Sequence, residues 1–209
     1  MNAHLFKKIA ELIPDHKLIL YKIAYVKGYR NWKLSLRDRN QMGYGTSYIE
    51  CGKLGSLTGM KKMIQLNKPK CEDHCWKELF EGICHGGHVE LIDHVPLIDT
   101  YDGLIAGCLN GQLQIVKRLI NLEKNYLNCV FYAACEGGHE DIVNYLIDYG
   151  INDWNWGLFG ACDGGHIHIV KQMIKKGANK FITAYYKASK KNHHEICDYI
   201  MELSPNLMY

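Results

Sequence analysis

No apolar run in this chain of 209 residues approaches the ~20 that a helix needs to cross a bilayer, so no membrane partner is expected. Met1 to Ile9 carries Lys7 and Lys8 after its apolar residues rather than before them, which is not the order of a secretory signal. No glycine-rich phosphate loop stands between a strand and a helix, and no Gly-x-Ser-x-Gly nucleophile motif occurs. An enzyme is not expected. Cys-x-x-Cys pairs are also missing, although there are 9 cysteines. Four of these, Cys84, Cys108, Cys135 and Cys162, each precede a glycine by three residues, where other copies carry Ser56 and Ser189. That exchange marks a small, buried site. With an odd total it favours reduced thiols in a cytoplasmic or nuclear compartment over a disulfide framework.

What is present is repetition. A glycine-centred signature returns at Gly59, Gly87, Gly111, Gly138, Gly165 and Asn192, and the last three intervals are all 27 residues. Fixed-period similarity at this scale implies stacked units that bury one another's apolar faces and leave a long open surface for binding. Two copies align closely. In one, Phe131, Ala133, Ala134, Cys135, Gly137, Gly138 and His139 precede Ile142, Val143, Leu146, Ile147 and Gly150; the next runs from Trp156 through Gly165 and His166 to Gly177. Each reads as two short helices. The first should end at the Gly-Gly pair, where positive φ is available without a side chain. The second carries an apolar stripe at helical period. Between Gly87 and Gly111, Pro96 should end the second helix near Val95.

Ala-Cys-x-x-Gly-His, then Ile-Val, then Gly-Ala-Asn resembles the ankyrin repeat. Closer still is the variant of giant DNA viruses, in which a stretch like Asp153-Trp154-Asn155-Trp156-Gly157-Leu158 leads into Gly-Ala-Cys-x-Gly-Gly-His. The resemblance covers roughly residues 48–205. It implies an all-α solenoid of stacked helix-turn-helix units over 48–75, 76–99, 100–126, 127–153, 154–180 and 181–205, with a tail at 206–209. The ankyrin period is about 33 residues with a Thr-Pro-Leu-His signature, which no copy carries. The shortfall lies between the second helix and the next first helix, so the hairpin fingers are expected to be shortened or absent. Trp76 and Trp154 should fill the space they leave. Lys187, Lys190 and Lys191 replace small or apolar residues in the last copy, as the polar outer face of a terminal cap would require.

Residues 1–47 do not repeat. By position 39 they hold nine basic residues against Glu11, Asp15 and Asp38, in a chain whose net charge is +3. Tyr21, Tyr25 and Tyr29 share one side of a candidate helix. A basic helical cap on the first repeat is expected; a nucleic-acid-binding face and an adaptor helix pair such as an F-box are the alternatives. Cys71, His74, Cys75, Cys84, His85 and His88 have zinc-ligand chemistry, but Cys84 and His88 already belong to repeat columns and no zinc site is expected. The column His88, His139, His166 and His193 should satisfy one backbone group per repeat. No cofactor is implied.

Within the first helices the column Phe80, Leu104, Phe131, Leu158, Tyr185 should be core. An adjoining stripe presents Tyr132, Trp156, Phe159 and Tyr186, with Glu136 and Asp163 below them. Aromatics beside carboxylates suit a partner-binding surface; the same stripe would equally serve packing between repeats. The expected function is a non-enzymatic, monomeric protein–protein interaction scaffold. The viral resemblance implies a host protein as partner, and nucleic-acid binding through the basic segment is the alternative.

Overall fold

A computed structural model describes residues 44–55 and 73–205, with side chains at 48–55 and 76–205. The candidate basic cap through residue 43, Gly59 and Met60, Cys71, the side chains of His74 and Cys75, and the tail at 206–209 lie outside the described residues. The rest falls into two compact units, one ending at Asp99 and the other beginning at Thr100.

In the first unit, α1 (Tyr44–Lys53) packs along α2 (Asp73–Gly86). Glycines set the approach: a Cβ on Gly82 would stand 2.2 Å from the Ile49 carbonyl oxygen. A 3₁₀ helix, Val89–His94, follows. It ends where expected, with Val95 extended at φ −129 and ψ 151, because a residue before proline is pushed out of the helical region. Cut this short, the segment takes the tighter 3₁₀ winding rather than the expected α-helix.

The second unit is a solenoid of four helical pairs: α3 (Thr100–Leu109) with α4 (Leu113–Leu119), α5 (Leu127–Gly137) with α6 (Glu140–Asp148), α7 (Trp154–Gly164) with α8 (Ile167–Lys176), and α9 (Phe181–Lys190) with α10 (His194–Leu203). First helices lie side by side in chain order. Leu104, Phe131 and Leu158 of the first helices are fully buried, as are Ile115, Ile142 and Ile169 of the second helices. Tyr185 and Ser189 depart from their columns, the first half-buried and the second exposed. The physical reason is position: among the described residues α9 has a neighbouring first helix on one side only. The second layer is joined by side chains: Gln172 Nε2 of α8 donates to Asn144 Oδ1 of α6 (3.0 Å), and Tyr149 Oη, just past α6, donates to Asn121 Oδ1 in the 3₁₀ turn that follows α4 (3.0 Å).

The fingers are absent. α6 ends at Asp148 and α7 begins at Trp154, α8 ends at Lys176 and α9 begins at Phe181, and no strand occurs among the described residues. Trp154 fills the space as expected, edge-on to Phe131 at 6.3 Å and beneath Lys176 Nζ at 5.0 Å. Asn155 Oδ1 accepts from the Asn179 and Lys180 amides, both at 3.0 Å, and so ties the second linker to the preceding repeat.

One latch recurs at the repeat boundaries. Gly87, Gly111, Gly138, Gly165 and Asn192 all take the left-handed conformation, with φ 78, 74, 77, 81 and 61. Beside three of these glycines or their equivalents a histidine from the next repeat donates through Nε2–H to a carbonyl: His139 to Leu109, His166 to Glu136, His193 to Asp163, at 3.0, 3.0 and 3.1 Å. His88 does the same to Lys53 at 3.0 Å. This corrects the register of the first copy. The left-handed glycine two residues beyond Lys53 is Gly55 (φ 66), which takes the place the column gave to Gly59, a residue outside the described ones. The donor–acceptor separation there is 35 residues against 30 in later copies, so the first copy is longer than those that follow.

Candidate groove on the first helices

The column five residues before each left-handed position holds Ala106, Ala133 and Gly160, small because adjacent first helices come closest there. A Cβ on Gly160 would stand 2.2 Å from the Tyr132 carbonyl oxygen. In α9 the same column holds Lys187. Its side chain cannot enter the helix contact and instead runs back across the face. Lys187 Nζ donates to Asp163 Oδ2 at 2.7 Å and to Tyr132 Oη at 3.0 Å, and it lies 4.9 Å from the centre of the Tyr132 ring. Tyr132 Oη donates to the same Asp163 oxygen. The expectation that Lys187 belongs to a solvated outer face is therefore corrected; Lys190 and Lys191 are exposed as that expectation has it.

This face opens into a concavity of about 590 Å³ spanning α3, α5, α7 and α9. Of the residues singled out from sequence, Tyr132, Glu136, Trp156 and Phe159 line it. The Trp156 ring meets Tyr132 at 6.2 Å and Phe159 at 6.4 Å, both edge-on, and Trp156 remains 38% exposed. The stripe thus packs between repeats and also shows a surface. Asp163 is held behind it by Lys187 and Tyr132. Tyr186 is 65% exposed and is not a wall of the concavity.

Sequence columns missed Tyr101, Ile105, Leu109 and Lys187. For two of them the signal was present: Ile105 shares the column of Tyr132 and Phe159, and Leu109 that of Glu136 and Asp163. Burial, and then the Cys129 thiol beside it, pushes the Tyr101 phenol above its ordinary value.

Elsewhere the buried thiols serve packing. Burial pushes the Cys51, Cys84, Cys108 and Cys162 thiols up to about 12, and Cys135 higher still. They stay neutral near neutral pH, and a neutral thiol is neither a good nucleophile nor a metal ligand. Of the zinc candidates, Cys84 is buried and His88 is committed to the Lys53 carbonyl. Among the described residues no three metal-capable side chains converge, and no helix is long and apolar enough to cross a membrane.

Residues 104–180, running from within α3 to the last residue before α9, match the family model described as ankyrin repeats (3 copies). No curated protein matches the chain.

Proposed function

From the ankyrin repeats at residues 104–180, modules that generally mediate protein–protein interaction, we infer that this chain is a non-enzymatic scaffold that holds a protein partner against its first helices. The observation that carries the reading is the half-exposed Trp156 on a concavity of about 590 Å³ whose walls are helices already in place. Preformed walls lose little conformational entropy on binding. A large aromatic in a concave surface is also the kind of side chain that dominates interface energies. The likeness of the repeats to those of giant DNA viruses supports a viral chain acting on a host protein. Burial of its free thiols is in keeping with a reducing cytoplasm or nucleus.

The reading is tested by affinity capture from a eukaryotic lysate at moderate and high salt. Wild type is compared with a Trp156→Ala, Phe159→Ala variant of matched helicity. A protein retained at high salt by wild type and lost by the variant is the expected result. Nucleic acid released by salt and indifferent to the substitutions would instead assign binding to the basic segment, since phosphate-driven affinity falls steeply with ionic strength.

A further inference from the structure

Glu136 stands where stability gives it no reason to be. It lies in the last turn of α5, where the helix dipole disfavours a carboxylate. Asp163 holds the equivalent place in α7, but Lys187 and the Tyr132 hydroxyl compensate its charge. Among the described residues none pairs with the Glu136 carboxylate, while its main-chain carbonyl is fixed by His166. The one lysine on the concavity is engaged by Asp163, so the wall keeps an uncompensated negative charge. Around it stand Tyr101, Trp156 and Phe159, whose ring faces are electronegative, and the aliphatic Ile105 and Leu109.

Resting on the reading that this groove binds protein, we propose that it selects a partner segment by one cationic side chain, lysine or arginine, flanked by apolar residues. The cation is drawn to Glu136 and to exposed aromatic faces, and its neighbours cover Ile105, Leu109 and Phe159. At about 590 Å³ the concavity is of the size that takes ligands, roughly 300–1,000 Å³. It admits a long side chain with its neighbours rather than the face of a folded domain. Acidic segments and phosphates are repelled by the same carboxylate.

The test is selection from a random peptide phage library on the full chain as wild type, Trp156→Ala, Glu136→Gln and Glu136→Lys, followed by fluorescence-anisotropy titration of the consensus peptide. Wild type should enrich peptides with lysine or arginine at one fixed position. Replacing that residue by glutamine should weaken binding about tenfold. Glu136→Gln should weaken the basic peptide by a similar factor and leave the glutamine peptide unchanged, the non-additivity of a direct pair. Glu136→Lys should enrich an acidic residue at that position. Trp156-dependent peptides with no basic position, or a basic peptide indifferent to Glu136→Gln, would overturn selection by charge while leaving the groove as the binding surface. Failure to enrich any Trp156-dependent peptide would overturn both.

Discussion

Gly138 answers two separate demands, and they can be measured apart. Its φ of 77 is one that a side chain disfavours. A Cβ there would also stand 2.3 Å from Cε1 of His166, the ring that bonds to the Glu136 carbonyl. Gly150 has the first demand without the second: its φ is 109 and nothing lies within 4 Å of a built Cβ. Gly138→Ala should therefore cost about 3 kcal/mol, backbone strain plus a displaced hydrogen bond, and Gly150→Ala about 1–2 kcal/mol from strain alone. Urea denaturation of both variants reads the difference; equal losses would show that the His166 ring swings aside freely. Recurrence made the glycine and histidine columns legible in the sequence, because each position repeats one local geometry. It misled at the first copy. Gly59 sits near the expected interval from Gly87, whereas the Lys53–His88 hydrogen bond that identifies Gly55 spans 35 residues and has no sequence signature.

Helices and their buried faces were readable because 3.6-residue periodicity reports which side meets the core. Lys187 was not, because its column in other repeats is small for a reason that lapses in α9. There the lysine bridges α9 to α7 and α5, and its partner Asp163 has a side chain only 13% exposed. Lys187→Met keeps most of the aliphatic stem and removes the charge, leaving that carboxylate with the Tyr132 hydroxyl alone. The side chain of Lys187 is 28% exposed, so solvent screens part of the pair, and a loss of about 2 kcal/mol is expected, below the range for a fully buried pair. Asp163→Asn combined with Lys187→Met should lose less than the two single changes summed. A double-mutant cycle by urea denaturation decides it, and strict additivity would mean that the ion pair contributes nothing to holding α9.

At the scale of the second unit, each helical pair packs chiefly on its sequence neighbours, with the Lys187–Tyr132 hydrogen bond from α9 to α5 reaching one pair further, so stability should propagate mainly as nearest-neighbour terms along the stack. The face that carries the groove was legible from the column rule; the depth of the groove was not. Depth depends on how far apart successive first helices stand, and that is set by small residues at contact points and by Lys187 at the last one. The histidine latches allow a direct test of propagation. His193 joins the last pair to Asp163 at 3.1 Å, and His166 joins α7–α8 to Glu136 at 3.0 Å. Each latch should be worth about 1 kcal/mol. In His193→Ala, faster amide exchange should be confined to residues 181–203, the pair with no repeat beyond it among the described residues. In His166→Ala it should extend over α7–α10, because α9–α10 rest mainly on the pair being loosened and reach α5 through Lys187 and Tyr132 besides, while α3–α6 keep their protection. Hydrogen-exchange mass spectrometry resolves these patterns. Uniform acceleration across α3–α10 in both variants would mean that the unit opens as one body, and the latches would then be local contacts without a role in carrying order from repeat to repeat.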